Sequence, residues 1–332
     1  MTPRVSVIMP VRDGGSFLRE AVDSILSQTV ESLELLLVDD HSRDGALDAL
    51  PHRDPRLRVI ESQGHGVSAA FNSGLEIARG AFIARMDADD IALPCRLAAQ
   101  LDYLDHDRGL ALCGGRVELF TDGSLGDGNL RYQEWLNGCC SPDAIRREIF
   151  IESPIPNPTA LFRRETLLTL DGYADPAWPE DYDLFLRADA LGMRMGKPES
   201  VVLRWREHPD RLTRTAPRYA LKQFQAAKIH YLASYRLAPG IEPVIWGAGP
   251  TGRLTHDLLR GEGRAVRGFL EVHPRRIGGR KRGLPVWPLD WVDQNPETFV
   301  LVAVGSAGAR ERIRRFMDEA GRVEGEDHLF VA

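Results

Sequence analysis

Apolar runs and helical spacings alternate from the first residues of the chain. Strands are predicted at RVSVIM (4–9), ELLLV (34–38), LRVI (57–60) and AFIAR (81–85). Between the first two, Phe17, Leu18, Ala21, Val22, Ile25 and Leu26 recur with the 3.6-residue period of a helix that buries one face. A second helix is predicted over 66–79 through Val67, Ala70, Phe71, Leu75 and Ala78, with Gly80 as its C′ residue. Pro94 opens a third, with Leu97, Leu101 and Leu104 on one side. Strands that alternate with helices predict an α/β fold built on a mostly parallel sheet.

Between about 110 and 160 the periodicity gives way to Gly, Asp, Asn and Pro, as in GSLGDGN and ESPIPNP, which predicts loops and short strands. Loops on a rigid scaffold tend to carry binding groups. Helices return at 181–191 and 217–236. Pro239-Gly240 then punctuates the chain, and PVIW (243–246) begins a new βα unit. The expected domains are therefore 1–238 and a smaller α/β domain, 239–332.

A chain of 332 residues suits two domains, and 43% hydrophobic with 27% charged residues is ordinary for globular proteins. The formal charge of −6 gives no basic excess for a polyanion, so no nucleic-acid partner is expected. Residues 241–332 hold 14 basic and 13 acidic residues, which assigns the acidity to the first domain. Cys95, Cys113, Cys139 and Cys140 form no CxxC pair and read as reduced thiols. No apolar run approaches the ~18 residues that span a bilayer, and no signal-type segment opens the chain. The expected location is cytoplasmic, with the basic, aromatic 217–236 helix the candidate for a peripheral contact at the inner membrane face.

Asp87, Asp89 and Asp90, in RMDADD, follow directly on an apolar strand. A parallel sheet presents ligands beyond the carboxyl ends of its strands. Three carboxylates so close repel one another unless a cation or hydrogen-bond donors neutralise them. Their hard oxygens suit Mg²⁺ or Mn²⁺, which also bind substrate phosphates. Capping of the following helix would use one Asp, not three. A second acidic pair, Asp39-Asp40, ends ELLLV, where a carboxylate can accept a hydrogen bond from a base or ribose hydroxyl.

The segments VSVIMPVRDGGSFLREAVDSILSQT, ELLLVDDHSRDG, FNSGLEIARGAFIARMDADDI and PEDYDLFLRA occur in the order found in family 2 glycosyltransferases of the GT-A fold, and residues 4–215 resemble that family. The resemblance implies an inverting, metal-dependent transfer from a nucleotide-diphosphate sugar, with UDP-sugars favoured, to the hydroxyl of a sugar or lipid-linked acceptor. Pro10, Val11 and Arg12 would line the nucleotide pocket, Asp39 would meet the base, and Asn72 would lie on the donor side. Asp87 would face the ribose and sugar. Asp89 would hold the cation, with His208 of EHPDRLTRT as a metal or diphosphate contact. Asp181 would be the general base, with Glu180 beside it on the acceptor side. Arg12-Asp13, Phe71 before Asn72, and Asn157 depart from the residues that the family often carries there.

Gly247, Gly249 and Gly252 form GxGxxG between a strand and a helix, and Glu271 ends the next strand, GFLEV. This context predicts a phosphate cradle with an acidic ribose contact, hence a nucleotide at a Rossmann-like domain. The domain loosely resembles the N-terminal domain of bacterial sugar acyltransferases. Two other readings stay open at this point. An NAD(P)-dependent oxidoreductase centred on Gly247 leaves Asp87, Asp89 and Asp181 unexplained. A non-catalytic nucleotide-sugar sensor would bind the donor without turnover.

Overall fold

The computed structural model describes residues 2–51, 54–306 and 308–332. The chain divides into two compact units, Met1–Arg146 with Pro154–Tyr219, and Arg147–Ser153 with Ala220–Ala332.

The first unit opens with β1 (Val5–Val11), α1 (Leu18–Leu26), β2 (Leu33–Asp39), β3 (Leu57–Glu61), α2 (Val67–Ile77) and β4 (Phe82–Arg85). It continues through β5 (Ile91–Ala92), α3 (Arg96–His106), β6 (Leu110–Cys113), β7 (Arg116–Phe120), α4 (Asp127–Gly138) and α5 (Pro142–Glu148). After these come β8 (Leu161–Arg163), α6 (Arg164–Thr169), α7 (Glu180–Ala190), β9 (Arg194–Gly196), β10 (Val201–Arg206) and α8 (Leu212–Thr215). One sheet runs β3-β2-β1-β4-β8-β6-β9, parallel across its first four strands and with β8 antiparallel to both neighbours. A second sheet, β5-β10-β7, follows.

Val5, Val7, Met9 and Val11 pack with Leu18, Val22, Ile25, Leu97 and Leu101 in one buried cluster. On the other side of β1, α2 lies so close that a Cβ on Gly74 would meet Ile8 Cγ2 at 2.6 Å. Helices therefore cover both faces, which is why β1 and β2 read as continuous apolar runs. Gly80 does not serve as the C′ residue of α2. A Cβ there would lie 2.4 Å from Ser6 N, so the glycine permits a close approach to β1.

The loops expected between 110 and 160 contain two helices, α4 and α5. Helix α4 buries only Leu136 among its residues, so no apolar stripe marks it in the sequence. Its amide side chains face β7 instead. Gln133 Oε1 accepts from Leu119 N at 2.6 Å, and Asn137 bonds both the N–H and the carbonyl of Val117 at 2.9 and 2.8 Å. These contacts satisfy the backbone of an edge strand.

The second unit holds α9 (Leu221–Tyr231), β11 (Val244–Trp246), α10 (Pro250–Gly261), β12 (Gly268–Leu270), β13 (Arg280–Lys281) and β14 (Leu284–Trp287), then β15 (Val300–Val302), α11 (Ala309–Glu319) and β16 (His328–Phe330). Its sheet runs β13-β14-β12-β11-β15-β16, parallel but for β13. Helix α9 counts with this unit, which moves the break from the expected 238 to 219/220. The cause is burial: Gln225, Ala227, Lys228 and Ile229 are covered, and Lys228 Nζ donates to the carbonyls of Ile151 and Val331, both of the same unit. All four cysteines are free thiols. Among the described residues no helix is long and apolar enough to cross a membrane.

Candidate active site

Sheet register brings three loops to one edge. Val11 pairs with Asp39 and Ile8 with Arg85, so the segments after β1, β2 and β4 leave the sheet side by side. The first two are stitched together: Asp13 Oδ1 accepts from Arg43 N at 2.7 Å, Ser42 Oγ from Asp13 N at 3.1 Å, and Asp44 Oδ2 from Gly15 N at 2.7 Å. Asp13 takes the left-handed conformation, φ 51°, which Asp and Asn tolerate better than most side chains. This accounts for an Asp in a place where an Asn is frequent.

A cavity of about 600 Å³ opens at this edge. It is lined by Pro10, Val11 and Arg12 from the first loop, by Asp87 and Asp89 after β4, and by Glu180 and Asp181 at the start of α7. Trp205, His208 and Tyr219 complete it from the far part of the first unit.

Asp87 and Asp89 belong to an acidic cluster in which single oxygens of Asp87, Asp89 and Asp90 lie within 4.8 Å of one another. Burial pushes the Asp87 carboxyl up, opposed by Arg85 and reinforced by Asp89. Burial pushes Asp90 well above the usual carboxylate range, with Asp89 and Asp87 adding to it. Asp87 Oδ1 faces Arg85 at 2.5 Å without an aligned hydrogen bond, and Asp90 Oδ2 has no hydrogen-bond partner. Burial and mutual repulsion thus make charge on Asp87 and Asp90 costly, with Arg85 beside Asp87 acting against both. Asp90 caps no helix. Its Oδ1 accepts from Arg206 N at 2.8 Å.

His208 reaches this cluster from beyond β10, its Nε2 lying 2.9 Å from Asp89 Oδ2. Arg206, which the sequence did not single out, holds the surrounding backbone. Its Nε donates to the Asp89 carbonyl at 2.8 Å, and its guanidinium lies 4.4 Å and 4.5 Å from the ring centres of Phe17 and Phe120. Because β10 belongs to the small sheet, only the fold could bring it to β4.

Glu180, also in the lining, is 3% exposed and accepts from Tyr219 Oη on both oxygens, at 2.9 and 2.8 Å. Burial and the Glu180 charge push the Tyr219 hydroxyl far up, so it remains a donor. Asp181 is more open, and its Oδ1 accepts from Tyr182 N at 2.7 Å. Trp205 lines the same space, and its buried Nε1 has no hydrogen-bond partner.

Two expected donor-side residues stand elsewhere. Asp39 is outside the cavity lining, and its Oδ1 accepts from Ser42 N at 2.8 Å. Its neighbour Asp40 lines the cavity instead, both oxygens accepting from Gly66 N at 3.0 Å and Oδ2 lying 3.5 Å from Arg12. Asn72 is also outside the lining because its amide bonds the N–H and carbonyl of Tyr173, at 3.0 and 2.8 Å. Asn157 does line the cavity, and its Oδ1 accepts from Tyr173 Oη at 2.5 Å.

In the second unit, Gly247, Gly249 and Gly252 form the turn from β11 into α10, with Gly247 at φ 116°. A Cβ on Gly252 would lie 1.8 Å from Gly247 O, so the turn closes only with glycine there. Glu271 follows the adjacent strand, but its oxygens already accept from Arg276 at 2.8 Å and from the N–H groups of Val272 and His273. Against the upward push of burial, the Arg276 hydrogen bond and the two backbone donors hold its carboxyl below the usual value.

Residues 6–170 match the sequence model of Glycosyl transferase family 2. EpsE of Bacillus subtilis strain 168, a glycosyltransferase by name, is 28% identical over 296 residues, covering 85% of this chain and 97% of its own. The O-antigen biosynthesis glycosyltransferase WbnJ of Escherichia coli is 27% identical over 222 residues, 65% of this chain and 84% of its own. Among solved structures, residues 1–349 of S. aureus TarS in complex with UDP-GlcNAc superpose with a TM-score of 0.57 at 17% identity, covering 77% of this chain and 71% of that one. The architecture is thus of the GT-A type, and the chain belongs to glycosyltransferase family 2. It is a glycosyltransferase.

Proposed function

We propose that the cavity carries out inverting transfer of a sugar from a nucleotide-diphosphate donor to an acceptor hydroxyl. One observation carries this reading: His208 contacts Asp89, beside Asp87, in the cavity that Asp181 also lines. The donor set fits a hard divalent cation. It offers carboxylate oxygens and one imidazole, with Asp90 Oδ2 unpartnered. Asp89 and His208, with Asp87, would hold Mn²⁺ or Mg²⁺, which supplies positive charge to the donor's diphosphate.

The chain's own groups perform the rest. Pro10, Val11, Arg12 and Asp40 bound the nucleotide end, with Asp40 in the place expected of Asp39. Asp181 takes the acceptor's proton as the new bond to the sugar carbon forms and the bond to the diphosphate breaks. Glu180 is the weaker candidate for this role, because Tyr219 occupies both its oxygens.

The TarS complex supports a UDP-sugar donor, and the O-antigen role in the name of the E. coli relative supports a saccharide acceptor in a bacterial surface glycoconjugate. Incubating the chain with single nucleotide sugars, with Mn²⁺ or with a chelator, and measuring released nucleotide diphosphate tests the reading. Release that needs the cation supports it. Donor binding without release under all conditions would favour a sensor.

A further inference from the structure

A second set of metal-type donors sits at the loops after β2 and β3, apart from the cluster after β4. One oxygen of Asp40 and one ring nitrogen each of His41 and His65 lie within 4.8 Å of one another. The two imidazole centres are 4.4 Å apart and their planes are tilted by 44°. Apart from this ring contact, neither imidazole makes a hydrogen bond or ion pair among the described residues.

Both loops are fixed by short bonds. Asp40 N donates to Val11 O at 2.8 Å and Ser42 N to Asp39 Oδ1 at 2.8 Å, one on each side of His41. On the other loop Gln63 N donates to Ser73 Oγ at 3.0 Å, and Gly66 N to both oxygens of Asp40. The donors are therefore gathered before any ion arrives, which lowers the ordering cost of binding.

We propose that Asp40, His41 and His65 bind a transition cation of the zinc class. Two neutral imidazoles with one carboxylate form a donor set that selects Zn²⁺, Co²⁺ or Ni²⁺ over the oxygen-seeking Mg²⁺. Three protein ligands leave a fourth position open to solvent or a ligand oxygen. Asp40 also lines the cavity beside Arg12, so an ion here draws on a carboxylate that faces the nucleotide end. Resting on the proposed function, in which Asp40 bounds the nucleotide end, occupancy at this site weakens donor binding.

Titration of the metal-depleted full chain with Zn²⁺ by calorimetry, and with Co²⁺ by visible absorption, tests the proposal in the presence of excess Mg²⁺. The wild type should bind one ion through this set. His65→Ala and His41→Gly should each weaken that event by at least about tenfold, as expected on loss of a first ligand. His41→Gly suits the left-handed backbone at this position, φ 59°, and both histidines are exposed, so melting temperature should confirm intact folds. His208→Ala should leave the event in place, which separates it from the carboxylate cluster. Unchanged zinc affinity and stoichiometry in the His41→Gly/His65→Ala double variant, or no zinc binding by the wild type, would overturn the site.

Discussion

His208 Nε2 lies 2.9 Å from Asp89 Oδ2, joining a residue beyond β10 to the acidic segment after β4. The pair ties the two sheets of the first unit at one point of the cavity. If it holds a cation for the donor, both partners are needed for binding rather than for folding.

Asp89→Ala should abolish the melting-temperature rise that a nucleotide diphosphate with Mn²⁺ produces, while the ligand-free melting temperature stays within a few degrees of wild type. His208→Ala should reduce the same rise, because the carboxylates remain. A full ligand-induced rise in Asp89→Ala would remove Asp89 from the site.

Arg206 acts through packing. Replacing it with Ala removes its stack between Phe17 and Phe120, its bond to the Asp89 carbonyl and its ion pair with Glu20 at 2.5 Å. The expected loss is about 1–3 kcal/mol of unfolding free energy, from the lost ring contacts and backbone bond, since Glu20 is left exposed to solvent. Urea unfolding measures it, and a loss below about 1 kcal/mol would show that the clamp contributes little.

The same method tests the turn of the second unit. Gly252→Ala places a Cβ 1.8 Å from Gly247 O, so backbone must move. A loss of about 2 kcal/mol or more is expected, confined to the transition of the second unit if the two units unfold separately. An unaltered transition would show that the β11–α10 turn relaxes freely.

Lys228 gives a pH prediction. Burial lowers its pKa to about 8 from the usual 10.5, so between these values the unfolded chain binds more protons than the folded one. Stability contributed at this site therefore rises as pH increases from about 8 to 10.5. Lys197, lowered to about 8 by burial, acts in the same direction. Lys228→Met should flatten the rise seen in the wild type. An equal pH slope in both proteins would mean that the amine is solvated.

The sequence displays best what depends on continuous burial. The strands β1, β2 and β4 carry dense apolar patterns because helices cover both faces of their sheet, and α1 and α3 carry apolar stripes because both pack on one of those faces. Helix α4 was hidden because its contacts to β7 run through Gln133 and Asn137 rather than through apolar side chains. The choice between Asp39 and Asp40 turns on where β2 ends: adjacent strand residues point to opposite sides, and one residue of register decides which carboxylate meets the cavity. Asn72 and Arg206 were beyond local reading for another reason, since their partners Tyr173 and Asp89 lie about a hundred residues away. The break at 219/220 was equally obscured, because Arg147–Ser153 leaves the first unit and joins the second.

The central claim is that Asp181, in the cavity closed by Asp89 and His208, takes the acceptor's proton. Its most direct test pairs donor affinity with turnover for Asp181→Asn, an amide of equal size that cannot act as the base. The donor Kd should stay within about threefold of wild type while release of nucleotide diphosphate falls by about 10²–10⁴, the range typical of general-base removal. Turnover near that of wild type would contradict it and move the base elsewhere.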